Sequence, residues 1–382
     1  MKTKYLTVIS CILILTLLAS CAIGAAGGAS AEVQTETQAP EAQGSIVMTE
    51  QPPRPVRPVR STANPARMTS IGLEAGSHGY IAMRHILFMN DNLYGRTSFS
   101  YRELEAAQWI VQQLLEMGYT QDAIQVQQFS WEDVYEWAWD TWEVVEEWRD
   151  FFREFPARQG RLSQNVILTV PGRSEQVIVV GAHYDSFPYP GASDNASGVA
   201  LLLESAERML EQDNYYTIVY AFFGAEEVGI VGAYFYLDSL TDEELDRIVL
   251  MVNADVLFEG PYPLYAAGYK LGEIPQAVPQ ANTITRRIDA IADDVHRIYG
   301  IEIEPFPNGI FWTTDHLPFL EAGYTVVVFA GLTEADGWLS PRVLHTPMDC
   351  IHYINYRWPG KAEHAMRAYS IFLERILLAS YS

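Results

Sequence analysis

The sequence predicts an α/β fold, a three-layer α/β/α sandwich around a mixed, mostly parallel central sheet. Three observations point there. Val166–Val170, Val177–Gly181, Thr217–Phe223, Ile248–Val252 and Thr325–Ala330 are short apolar runs rich in branched side chains. Such runs read as strands covered on both faces. Stretches with helical spacing lie among and after them, at Gly198–Leu210, Val231–Leu237, Thr283–Tyr299 and Lys361–Leu378. Alternating strands and helices build layered, largely parallel sheets. Finally, 49% of the 382 residues are hydrophobic and 19% are charged. That is enough apolar material for a large core and rules out a chain that is disordered throughout.

At the N-terminus, Lys2 and Lys4 precede an apolar run from Tyr5 to Leu18, followed by Ala19, Ser20 and Cys21. The run is short for a bilayer span, and its flanks read as a secretory signal. Leu18-Ala19-Ser20-Cys21 resembles the lipobox of bacterial lipoproteins. The resemblance implies a signal peptide over residues 1–20 and a lipidated Cys21 that tethers the chain to a membrane. The expected location is the bacterial cell envelope, on the outer face of the cytoplasmic membrane, or outside the cell if Cys21 carries no lipid. Removal of 1–20 takes Cys11 away, so with Cys21 acylated only Cys350 remains as a thiol. Stability must then come from the core or from metals rather than from disulfides.

Residues 22–67 contain no aromatic residue and six prolines. With Cys21 they predict a disordered linker that reaches about 40 Å. Residues 68–382 are expected to form a single domain. In it, Tyr101–Met117 carries a helical stripe (Leu104, Ala107, Ile110, Leu114) that Gly118 ends. Residues 131–155 hold five of the nine tryptophans and nine acids, and predict an aromatic, acidic helical insert. The formal charge of −23 repels phosphate backbones, which argues against a nucleic-acid partner. The sequence does not indicate an oligomeric state.

Chemistry-bearing residues gather where the apolar runs end. Val177–Gly181 leads to Ala182-His183-Tyr184-Asp185; Thr217–Phe223 leads to Gly224-Ala225-Glu226-Glu227; Ile248–Val252 leads to Asn253-Ala254-Asp255. Open α/β sheets keep their active crevice at the carboxyl ends of strands. Ser193-Asp194-Asn195-Ala196-Ser197-Gly198 opens a helix, and His345-Thr346-Pro347-Met348-Asp349 follows late in the chain. Singly, each has a plain structural explanation: a core histidine, a helix cap for Asp194, a solvated helix start for the two glutamates, a turn for Asp255. Together they form an ordered set.

That set, His-x-Asp, Ser-Asp-Asn-x-x-Gly, Glu-Glu, Asn-x-Asp and His-Thr-Pro-x-Asp, resembles the co-catalytic zinc aminopeptidase family. The family includes bacterial leucyl aminopeptidase and aminopeptidase Y and, more distantly, glutamate carboxypeptidase and glutaminyl cyclase. The resemblance covers roughly Gln164 to the end and, more loosely, Tyr101 onward. It implies a metallo-exopeptidase that removes N-terminal residues from peptides with two divalent ions, zinc by preference. His183 and Asp255 would bind one ion, Glu227 and His345 the other, and Asp194 would bridge them. Glu226 would be the general base, and Asp185 would orient the His183 ring; Asp349 would do the same for His345. The residue types suit this task. A bridging carboxylate holds two cations about 3.5–4 Å apart, and mixed His and carboxylate donors suit zinc. Thr314-Asp315-His316 resembles a further family segment and places His316 at the substrate cleft or behind a ligand. Some family members carry an oxyanion-steadying tyrosine just before this segment. Here Phe311 and Trp312 stand near that place with no phenol, so the sequence does not assign the oxyanion donor, and neither Tyr262 nor Tyr265 is singled out for it. Cys350 reads as a buried thiol. The alternatives are a one-zinc glutaminyl-peptide cyclotransferase and a catalytically inactive binding lipoprotein on the same fold.

Overall fold

The computed structural model describes residues 73–130, 161–260, 262–268, 283–306, 314–331, 333–335, 338–340 and 343–381. The expected signal peptide, Cys21, the proline-rich linker, the 131–155 insert, Phe311 and Trp312 lie outside the described residues.

The branched runs form the middle of the sheet because their side chains alternate between two apolar cores. On β4 (Tyr216–Phe223), Ile218, Tyr220 and Phe222 enter one core while Val219, Ala221 and Phe223 enter the other. On β8 (Val326–Ala330), Val327 and Phe329 alternate in the same way with Val326 and Val328. Side chains this deeply buried contribute about 1.5–3 kcal/mol each relative to exposure.

The remaining strands are β1 (Ile124–Ser130), β2 (Leu162–Val170), β3 (Ser174–His183), β5 (Ile248–Ala254), β6 (Leu264–Gly268) and β7 (Glu304–Pro305), with a small separate pair, β9 (Thr333–Ala335) and β10 (Trp338–Ser340). The main sheet has eight strands among the described residues, in the order β1-β2-β4-β3-β5-β8-β6-β7. β4, β3, β5 and β8 are mutually parallel. β2 adds antiparallel to β4 and β1 antiparallel to β2, while β6 adds antiparallel to β8. The sheet is therefore mixed with a parallel centre, as predicted.

The first core is covered by α1 (Tyr80–Asn92), α2 (Tyr101–Met117), α3 (Ser197–Met209), α6 (Thr283–Tyr299) and α9 (Lys361–Leu377). The second is covered by α4 (Val231–Ser239), α5 (Asp242–Arg247) and α7 (Leu317–Glu321). α8 (Ile351–Arg357) sits ahead of α9. Three layers result. Ser100 caps α2 through its side chain, and Gly118 closes it at φ 109°, a conformation glycine adopts without penalty.

β1 was not evident from the sequence because it is an edge strand: only Ile124 and Phe129 are buried, and Gln125, Gln127 and Gln128 break the apolar run. No described helix is long and apolar enough to cross a membrane.

Candidate metal centre

The topology converges the ligand candidates. β4, β3 and β5 are adjacent and parallel, so their carboxyl ends share one edge. His183 ends β3 beside Phe223, which ends β4. Glu226 and Glu227 follow in the next turn, and Asp255 follows β5 directly.

His183 Nε2 lies 3.2 Å from Asp255 Oδ1 and 3.2 Å from Asp194 Oδ1. His345 Nε2 lies 3.2 Å from Asp194 Oδ2 and 3.1 Å from Glu227 Oε2. Asp194 thus turns one oxygen to each histidine. His183, Asp194 and Asp255 form one group of potential ligands; Asp194, Glu227 and His345 form a second, with the donor atoms of each within 4.8 Å of one another.

These contacts fit a metal better than a plain hydrogen bond. A single N–H aims at one acceptor, yet each Nε2 faces two carboxylate oxygens at equal range. Ligands about 2.0–2.1 Å from a tetrahedral ion lie about 3.3 Å apart. Glu227 Oε1 is also buried with no hydrogen-bond partner. Glu226 belongs to neither ligand group.

The electrostatics describe the same negative field. Burial opposes protonation of His183, but the surrounding carboxylates of Asp255, Glu226, Asp185 and Asp194 outweigh it and hold the imidazole well above its ordinary range. Burial likewise opposes protonation of His345, and Asp194 and Glu227 push it up to about 11. Burial and the neighbouring Asp194 raise Glu227 to about 7. Burial works against ionisation of Asp194, yet the bonds from His183 and His345 hold it well below the usual carboxylate range. Glu226 is raised, chiefly by burial and then by Asp315, Glu227 and Asp255 against the opposing pull of His183. A field that binds protons this firmly also attracts cations.

The Asp194 loop is held from both sides. Asp349 accepts from Ser193 N–H at 2.6 Å and from Asp194 N–H at 2.9 Å. Its carboxylate therefore serves the Asp194 loop, not the His345 ring that its sequence position suggested. Asn195 donates to Ala254 C=O at 2.9 Å, tying the loop to the strand that delivers Asp255, and accepts from Gly198 N–H at 2.8 Å. Helix capping thus falls to Asn195 and leaves Asp194 for the site. A Cβ at Gly198 would come within 2.3 Å of Ala254 O, which explains the glycine in Ser-Asp-Asn-x-x-Gly. The Asp194–Asn195 peptide is cis.

Asp185 is fully buried, and its Oδ1 lies 3.5 Å from His183 Nδ1. Its shorter bonds go elsewhere. It accepts from Glu226 N–H at 3.1 Å, from Glu227 N–H at 3.2 Å and from the Ser98 hydroxyl at 2.6 Å. Ala225, Val256 and His345 adopt left-handed φ of 55°, 52° and 55°. Each is not glycine, and such conformations cost about 1–3 kcal/mol and gather at functional sites.

Several expectations change. His316 is only 1% exposed, which disfavours an open cleft and leaves the place behind a ligand that the resemblance also allowed. Tyr265 donates to Asp289 on α6 at 2.8 Å, so its phenol is already engaged; Tyr262 is exposed. Cys350 is half-buried rather than buried. Residues not singled out in the sequence also matter. Arg96, fully buried, donates to the carbonyls of Tyr184, Leu93, Pro190 and Gly191 and so braces the segment between His183 and Asp194. Phe187 stacks on His345 with centroids 3.8 Å apart. An arginine binding only carbonyls and a lone phenylalanine leave no periodic signal.

Residues 165–370 match peptidase family M28. The chain belongs to that family. The family stretch contains all five ligand candidates. Aminopeptidase YwaD of Bacillus subtilis is 29% identical over 224 residues, 56% of this chain and 45% of that protein. Probable lipoprotein aminopeptidase LpqL of Mycobacterium tuberculosis is 42% identical over 106 residues, 27% of this chain and 21% of that protein. The chain spans about half or less of the length of these M28-like relatives. Among solved structures, the zinc aminopeptidase BSAP from Bacillus subtilis superposes with TM-score 0.57 at 19% identity, covering 78% of this chain and 95% of that one. Glutaminyl cyclase of Bacteroides thetaiotaomicron does so with TM-score 0.55 at 15% identity, covering 79% and 98%. At such identities the likeness is one of fold.

Proposed function

We propose that this M28 member is a metal-dependent aminopeptidase that hydrolyses the N-terminal peptide bond of peptides. His183 and Asp255 would hold one ion, Glu227 and His345 the second, with Asp194 shared between them, and zinc would suit the mixed donors best. The observation that carries the reading is the division of Asp194, one oxygen toward each histidine. Two divalent ions bound there would supply Lewis acidity to the scissile carbonyl and ease deprotonation of the attacking water.

The chain's own residues do the rest. Glu226 stays outside both ligand groups, so its carboxylate is left to take the water proton and pass it to the leaving amine. Asp185 fixes the turn that carries it through the N–H groups of Glu226 and Glu227. A one-zinc cyclotransferase would need fewer ligands than are gathered here. The lipobox-like N-terminus, with a relative named a probable lipoprotein aminopeptidase, supports an exported enzyme anchored through Cys21. Cys21→Ala should move the protein from the membrane fraction to the soluble one; unchanged partition would remove the lipid anchor.

The test is hydrolysis of a panel of aminoacyl-anilides with and without chelator, alongside elemental analysis. Two metal equivalents and chelator-sensitive release are expected. One equivalent would favour the cyclotransferase, and none a binding module. Glu226→Gln should keep both metals and lose about 10²–10⁴-fold in turnover; near-normal hydrolysis would take the base role away from Glu226.

A further inference from the structure

Glu103 lies outside the stretch that matches the family and outside both ligand groups. It stands three residues after Ser100, whose hydroxyl accepts its N–H at 3.2 Å. At that spacing a glutamate ordinarily folds back onto the capping residue's own N–H at the protein surface. Glu103 does otherwise. It is 1% exposed. One carboxylate oxygen accepts from Phe99 N–H. The other accepts from the Ser163 hydroxyl at 2.7 Å and from Ala225 N–H at 3.0 Å.

Ala225 is the residue before the Glu226-Glu227 pair, and its φ is 55°. With Asp185 on the next two N–H groups, three successive amides, 225 to 227, are held by two buried carboxylates. Phe99 and Ala225 pack in one small apolar cluster with Phe129, Val228 and Val231. A buried carboxylate is costly wherever a surface cap would serve. Its bonds to a strained backbone at the site point to a positional task.

We propose that Glu103 is a positioning residue of the hydrolytic site: it pins the left-handed Ala225 backbone and thereby aims the Glu226 carboxylate. The proposal rests on the reading of Glu226 as base. It acts through hydrogen bonds, not through substrate or metal.

The test uses the full chain with Glu103→Gln and Glu103→Ala, each also combined with Glu226→Gln. Glu103→Gln keeps the side-chain volume, so it gives the decisive reading where the alanine variant fails to fold. Faster amide hydrogen exchange confined to residues 224–228 is expected, with metal content at two equivalents and KM within about twofold. kcat should fall about 10–100-fold, the usual effect of a small misplacement of a reacting group. In the Glu226→Gln background the same change should alter kcat by less than about twofold, because the group being aimed is already disabled. Unchanged exchange in that segment, an unchanged kcat, or losses that multiply in the double variant would each overturn the proposal. A wild-type chain that binds metal but cleaves no anilide counts against the hydrolase reading alone, and the exchange measurement still decides whether Glu103 pins Ala225.

Discussion

The two halves of the candidate metal centre are held by different kinds of structure. His183 and Asp255 leave the ends of adjacent parallel strands and are 0% and 4% exposed. Glu227 comes from the turn after β4 and His345 from the segment before α8, and the His345 side chain is 41% exposed. The inner pair inherits its positions from the main-chain ladder. The outer pair depends on local devices: Asp185 on the Glu227 amide, a left-handed φ at His345, and the Phe187 ring laid against it. Ligands ordered before binding cost less to bring together than ligands ordered by it. The inner position should therefore hold its ion more firmly than the outer one.

The largest effect tests what the halves share. Asp194→Ala removes an oxygen from each, so elemental analysis should find both ions gone and turnover abolished. Two retained equivalents would show that Asp194 bridges nothing. The next effect separates the halves. His345→Ala should keep about one equivalent, held at the inner position. His183→Ala should retain less, since the outer pair alone lacks a rigid frame. Graded chelation of the wild-type chain should remove the ions in two phases. A single phase, or equal losses from the two variants, would erase the distinction.

Legibility followed the same division. The inner ligands stand just past apolar runs visible in the sequence, and strand polarity alone sends both to one edge. The outer ligands were legible only as motifs, because no periodicity points a loop. Asp349 shows the limit most clearly. Sequence proximity paired it with His345, yet it binds Ser193 and Asp194, some 155 residues away in the chain. Glu103 did leave a trace. It falls on the same stripe as Ala107, Ile110 and Leu114, all buried on α2, and an acid on an apolar stripe marks a buried partner. Which partner it meets depends on how α2 docks against the sheet. Arg96 and Ser98 act through contacts that exist only once the layers are assembled.

The smallest effect isolates one local device. The Phe187 and His345 rings are nearly parallel, 19° apart at 3.8 Å between centroids. The stack restricts the His345 ring. Aromatic pairs of this kind contribute about 0.5–1.5 kcal/mol beyond their buried area. Phe187→Ala should therefore weaken the outer ion about 2–10-fold and leave the inner one unchanged, which widens the gap between the two chelation phases. If both phases shifted together, the ring would be supporting the fold as a whole. If neither moved, the outer histidine would be held by its backbone alone, and the left-handed φ at His345 would be the device that matters.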